Sequence, residues 1–441
     1  MRKSRFALGA LALVLALLVS ACGSTGSSGN GGGGGPGPTS AAGSEGGSGS
    51  GQGGGSDGSG GSGGGAQPPA EPIKIGVITS VTGPLAGYAD QEIKGLRLGL
   101  EYATGGTMEV LGRPIEVIVE DDTGSPDVGK QKAIKLLEQD GVHILQGSAS
   151  TPVALAVAEQ AKLYEVIYMI DPAAGDQLTT TDFNPYIFRT GGNTTQDALT
   201  GGKATVENLG RTIVHLAPDN AFGTSSQDAW NPIFEQYGGT VIRNINAPLD
   251  AKDFATYLQQ VIELNPEVLM VTWSGGNALK LFQQIGELGL FDRMKVTTSI
   301  GDRASLIGMG DAAVGMNGVV RYFYTLPDNP VNDWLVKEHI ARYGEPPDLF
   351  TAGGMAAGIA IVEGIKKAGS TDAGDLIPAL EGMSFEGPKG TYTFRPEDHQ
   401  ALQPMYFVEL VKDPDHDYPI PKLVAELSPE ETAPPVNVPG R

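Results

Sequence analysis

From Ile73 onward, short apolar runs alternate with segments whose apolar positions recur every three to four residues. Eight runs read as strands: 73–79, 115–119, 142–146, 166–170, 212–216, 240–245, 268–272 and 295–298. Helical periodicity falls between them, near 89–103, 127–139, 153–164, 195–209, 223–237, 252–264 and 277–288. Strands apolar on both faces, alternating with helices, build parallel sheets covered on both sides, with right-handed crossovers. Four strands precede and four follow residues 171–195, which show little periodicity. The pattern predicts an α/β protein of two doubly wound parallel-sheet lobes rather than one large sheet. Helical signals at 331–343 and 353–368, then strand-like 392–394 and 405–411, predict that the chain returns to both lobes. Residues 428–441, rich in Pro and Glu, read as a frayed, flexible tail.

The N-terminus breaks this pattern. Arg2, Lys3 and Arg5 precede an apolar run over 6–19, shorter than the ~20 residues that span a bilayer. Small residues lead to Cys22, so residues 1–21 read as an export signal peptide. Leu18-Val19-Ser20-Ala21-Cys22 also resembles a bacterial lipobox, which implies lipidation of Cys22 and a membrane anchor. Residues 23–65 hold 23 of the 65 glycines, a composition that cannot bury a core. Residues 22–70 are therefore expected to be a tether, with a root-mean-square span of roughly 40 Å for a Gly/Ser coil. Its Gly47-Ser48-Gly49-Ser50-Gly51 matches a hydrolase nucleophile motif by composition alone, with no strand before it and no helix after it.

Charge and cysteine content narrow the functions. The formal net charge is −21, and removing Arg2, Lys3 and Arg5 with the leader takes it to −24. Such a chain has nothing basic in surplus for nucleic acid. One cysteine excludes intrachain disulfides and cysteine-ligated zinc. The five histidines show no metal spacing, and His143 and His215, in expected strands, read as satisfied core or edge residues. Asp413, Asp415 and Asp417 imitate a calcium loop, but Tyr418 and Val424 stand where its glycine and glutamate belong, so a polar turn is expected. No metal or cofactor is expected.

In doubly wound sheets, ligands sit beyond the carboxyl ends of strands, at helix N-termini. The loops there are Ser80–Tyr88, Gly147-Ser148-Ala149-Ser150-Thr151 and Asp171-Pro172-Ala173-Ala174-Gly175. Small, hydroxylated and glycine residues leading into a helix present N–H groups and hydroxyls to an anion such as a carboxylate. Each loop alone would equally serve as a helix cap. A nucleotide is disfavoured, because neither GxGxxG nor GxxxxGK[ST] occurs in residues 71–441.

Thr82-Gly83-Pro84, Tyr88, Asp90-Gln91, Gly95, Glu120-Asp121-Asp122, Gly147, Ser150-Thr151, Pro172-Ala173-Ala174, Phe188-Arg189-Thr190 and Asp219–Gly223 form an ordered set. With it, residues 71–412 resemble the type I periplasmic binding proteins of the branched-chain amino acid (leucine/isoleucine/valine-binding) class. The resemblance implies two lobes joined by three crossovers, closing on a solute by hinge motion. Lobe one would be 71–190 plus 325–395, and lobe two 191–324 plus 396–427. It further implies that Ala149, Ser150, Thr151, Ala173 and Gly175 hold a ligand carboxylate, and that Tyr88 covers it. Phe222 and Trp273 stand where hydroxyl-bearing residues are usual, and Gly175 lacks the family's hydroxyl there. Asp302 is the acidic residue available for a ligand ammonium. Arg189 is expected to make an interlobe or helix-terminal ion pair.

The resemblance implies a monomeric, non-enzymatic receptor outside the cytoplasm, lipid-anchored to a bacterial membrane, that delivers a small carboxylate such as a branched-chain amino acid to an ABC permease. Losing hydroxyls and gaining aromatic faces leaves open an aromatic or other apolar acid or amide instead. A ligand-sensing ectodomain is a second class of function, and a hydrolase would need a nucleophile–base pair that the sequence does not display.

Overall fold

The computed structural model describes residues 70–440. The expected signal peptide, Cys22 and all but the last residue of the expected tether lie outside the described residues. The first sheet comprises β1 (Ile73–Thr79), β2 (Glu109–Val110), β3 (Arg113–Asp121), β4 (Ile144–Gly147), β5 (Ile167–Ile170) and β6 (Ile187–Arg189), in the order β2-β3-β1-β4-β5-β6. The second comprises β7 (Thr212–Pro218), β8 (Thr240–Ala247), β9 (Val268–Val271), β10 (Lys295–Ile300), β11 (Asn317–Val320) and two late strands. Between them come β12 (Ser384–Gly387), β13 (Gly390–Phe394) and β14 (Ala401–Leu402), a small antiparallel sheet. The late strands β15 (Met405–Val411) and β16 (Ile420–Leu427) complete the order β16-β15-β11-β10-β9-β7-β8.

The parallel pattern holds at the centre of each sheet and yields at its edges. β2 runs antiparallel to β3, and β15 runs antiparallel to both β11 and β16. A two-residue strand next to its neighbour, or a strand returning after a turn, needs no helical crossover.

Alternation along each strand assigns its faces. Ile73, Ile75 and Val77 of β1 pack toward α1 (Ala86–Ala103), while Ile78 packs toward α2 (Pro126–Lys135) and α3 (Thr151–Tyr164). In the second sheet Ile213 faces α4 (Thr194–Asn208) and α5 (Ala221–Gln236). Val214 and Leu216 face the opposite core, with α6 (Ala255–Leu264) and α7 (Ala278–Glu287). The chain continues through α8 (Leu290–Arg293), α9 (Arg303–Met309), α10 (Pro330–Tyr343), α11 (Leu349–Ala368) and α12 (Ala373–Leu380). α11 meets the length and hydropathy of a membrane span, but 78% of its apolar 18-residue stretch is buried inside this fold. It packs on α1 through glycines: a Cβ on Gly95 would lie 2.0 Å from Thr351 O, and one on Gly354 2.2 Å from Glu92 O. The Gly/Ala-rich start of α11 is thus a close helix contact.

Residues 396–402, expected in lobe two, pack with lobe one. Ala401 is fully buried in the first core and pairs with Phe394, and Gln400 bridges Arg189. The chain therefore passes between lobes after β6, β11 and β14. The expected frayed tail is also corrected. Thr432 is fully buried, Val438 is buried, and Arg395 Nη1 donates to Pro434 O at 2.7 Å.

Candidate functional site

In both sheets the strand order reverses beside the first strand, between β1 and β4 and between β7 and β9. A crevice forms at such a point, because the following loops diverge to opposite faces. Here the two crevices face each other across a cleft of about 720 Å³, counted to its open mouth.

Buried Asp122 assembles the first-lobe wall. Its carboxylate accepts from Ser80 Oγ (2.6 Å), Ser148 Oγ (2.6 Å) and Gly124 N (2.7 Å), tying together the loops after β1, β3 and β4. Its neighbour Asp121 points away and accepts from Thr82 and Thr123, as adjacent strand residues must. Ala149, Ser150 and Thr151 then reach the cleft at the start of α3, whose N-cap, Ser150, makes no side-chain capping bond. Ser150 N donates to Ser148 Oγ (3.2 Å) and Pro152 has no N–H, so the Thr151 and Val153 N–H groups are the ones left for another acceptor. Thr151 Oγ1 accepts from Gly175 N at 3.2 Å, which leaves the threonine hydrogen free to donate.

Tyr88, Phe222 and Trp273 also line the cleft. Tyr88 packs on Phe350 with ring centroids 4.0 Å apart, and burial pushes its phenol far above the usual range. Trp273 is fixed by a hydrogen bond from Nε1 to Asn277 Oδ1 (2.9 Å) and an edge contact with Phe254. Asn220 caps α5 through Gly223 N, which sets Phe222 at the cleft.

Three residues expected at the ligand stand behind the wall. Ala173 is buried and donates its N–H to Ser148 O, so Ala174 lines the cleft instead. Gly175 spends its N–H on Thr151, and a Cβ there would meet Thr151 Cγ2 at 2.4 Å. Asp302 caps α9, accepting from Ser305 N (3.1 Å) and Ser305 Oγ (2.9 Å). The ion pair expected of Arg189 is not formed either. This fully buried guanidinium, lowered to about 10 by burial, donates to Gln400 Oε1, Gly175 O and Thr179 Oγ1, and so braces the loop after β5.

The structure adds residues that the sequence pattern did not mark. Arg321 and Asp197 form the polar floor, joined by Nε–Oδ1 (2.8 Å) and Nη2–Oδ2 (2.7 Å). Arg321 follows β11, whose sequence Asn317-Gly318-Val319-Val320 has only two apolar side chains to signal a strand. Leu349 and Phe350 enter from the first turn of α11, earlier than the expected helix start. Gly275 N donates to Tyr88 Oη, and Arg303 N to Asp348 Oδ2 (2.9 Å), so the lobes touch on both flanks of the cleft.

This architecture defines a two-lobe binding protein, and comparison with known sequences and folds agrees. The periplasmic binding protein profile matches residues 72–415, and the chain belongs to that family. It is 26% identical over 358 residues to the Leu/Ile/Val-binding protein homolog 6 of Brucella melitensis, covering 79% of this chain and 90% of that one. It is similar to the structure of an ABC-type branched-chain amino acid transporter protein from Rhodopseudomonas palustris CGA009. That pair shares 38% identity and a TM-score of 0.71, covering 83% and 99% of the two chains. A solute-binding protein of Rhodopseudomonas palustris BisB5, solved with 3,4-dihydroxybenzoic acid, gives 29% identity and a TM-score of 0.75 over 81% and 97%. The chain is thus an extracytoplasmic solute-binding protein of an ABC transporter, a class that binds small ligands, works with a permease and is not enzymatic.

Proposed function

We propose that the cleft takes a carboxylate with an aromatic or apolar body and no ammonium group, for delivery to an ABC importer. One observation carries this reading: Asp197, the only carboxylate on the cleft lining among the described residues, already holds Arg321 through two hydrogen bonds. An amino acid would bury its ammonium without an acidic partner, a costly arrangement. The solute carboxylate instead meets the uncapped start of α3, where the N–H groups of Ala149 and Thr151 and the hydroxyls of Ser150 and Thr151 serve as donors. Its body packs against Tyr88, Phe222, Trp273 and Phe350, where aromatic faces favour a flat ring. The Rhodopseudomonas relative solved with a dihydroxybenzoate supports this choice, while the amino acid names of other relatives favour leucine. Calorimetry with benzoate, 3,4-dihydroxybenzoate and leucine decides between them. Aromatic acids are expected to bind more tightly, and tighter leucine binding overturns the reading.

The same proposal places the receptor on the membrane through lipid on Cys22, followed by the Gly/Ser-rich tether. Mass spectrometry of the mature N-terminus tests this, and an unmodified cysteine would refute it.

A further inference from the structure

Behind the cleft lies a second chamber of about 400 Å³, counted to its opening, beside the passages between the lobes. It shares Pro172, Arg321, Leu349 and Phe350 with the cleft. We propose that this rear chamber is a small-anion site built on Lys389 and Arg321, filled by a second carboxylate of the cleft ligand or by a free inorganic anion.

Lys389 carries the inference. It is 6% exposed, and Nζ lies within ion-pair distance of no carboxylate among the described residues. Its one oxygen acceptor is Gln403 Oε1 at 2.9 Å; the Met405 sulfur, at 3.7 Å, is a weak acceptor, and the Tyr406 ring lies 5.7 Å away. An ammonium has three N–H groups to satisfy, and burying it without a counter-charge is unfavourable. Arg321 adds a second cation to the lining. Its Nε and Nη2 are committed to Asp197, which leaves Nη1. Asp171 lines the chamber too, and among the described residues its side chain accepts only from Thr190, at 3.4 Å. Burial pushes that carboxyl up to about 7, so below neutrality it keeps a proton and donates to an anion instead of repelling it. Burial and the nearby Arg321 charge lower Lys389 to about 7, a depression that a bound anion would reverse.

The unaltered full chain crystallised at pH 6 with sodium bromide provides the first test. An anomalous peak beside Lys389 Nζ is expected, and bromide should raise the melting temperature of the parent but not of Lys389→Met. Because this arm uses no organic ligand, it can succeed where the aromatic-acid reading fails. The second arm compares benzene-1,4-dicarboxylate with benzoate in halide-free buffer. If the anion is the ligand's own, the dicarboxylate binds about tenfold more tightly and the preference collapses in Lys389→Met. Bromide without that preference assigns the site to a free anion. An empty chamber, together with a ratio unchanged by the substitution, overturns the proposal.

Discussion

The phenol oxygen of Tyr88, in the first lobe, accepts a hydrogen bond from the backbone N–H of Gly275, in the second, at 2.8 Å. One residue on, Gly276 N donates to Pro84 O at 2.7 Å. Tyr88 therefore both touches the cleft and fastens its edges. Tyr88→Phe keeps the ring against Phe350 and deletes the acceptor. Affinity is expected to fall by about 0.5–1.5 kcal/mol, several-fold, since closure is coupled to binding. Titration calorimetry reads this, and an unchanged constant would show that the contact contributes nothing to the closed state.

Thr151 faces the uncapped end of α3 and also accepts from Gly175 N. Thr151→Ala should weaken carboxylate binding by about 1–3 kcal/mol, because a charged acceptor loses a donor. Thr151→Ser retains the hydroxyl and should retain most of the affinity. Equal binding by parent and alanine variant would remove Thr151 from the site.

Arg321 and Asp197 are largely buried, with side chains 16% and 5% exposed. Arg321→Met abandons the carboxylate in the interior, so denaturation should show a loss of about 3–5 kcal/mol. Pairing it with Asp197→Leu should recover part of that, because no charge is then stranded. If the double variant is no better than the single, the pair is not the cause.

His215 is fully buried between Asn231 and Thr272, and burial lowers its imidazole to about 4 from an ordinary 6.5. The unfolded chain binds the extra proton between those values. Its contribution is therefore complete above about pH 6.5 and is lost as pH falls toward 4. Burial of Asp171 and Asp348, raised to about 7 and about 6, acts in the opposite sense, so the measurement is a difference. Relative to parent, His215→Gln should lose less stability between pH 6.5 and 4.5 in chemical denaturation. Parallel curves would exclude His215 as the source.

Much of the fold was readable because its strands are buried on both faces and its helices are amphipathic. β1 spans Ile73–Thr79 as its apolar run predicts. What escaped was short or non-local. β6 has only three residues, and β11, Asn317-Gly318-Val319-Val320, has only two apolar side chains, so Arg321 just beyond it went unmarked. The contact of Tyr88 with Phe350 joins positions far apart in the chain. Asp302 carries a local signal of its role, since Asp directly before a helix is a favoured N-cap that accepts a first-turn N–H. Gly175 carries none, because only packing shows that Thr151 occupies the space its side chain would need.

The place of β15, between β11 and β16, has a consequence for biosynthesis. The second sheet needs a strand from near residue 405 to cover the flank of one that ends at Val320. A ribosome must therefore release more than eighty further residues before that half can finish. Until then the nascent polypeptide displays an open ladder of main-chain donors and acceptors, the kind of surface that invites wrong partners. Passage across the membrane in an unfolded form would postpone that exposure until the whole chain had emerged on the far side.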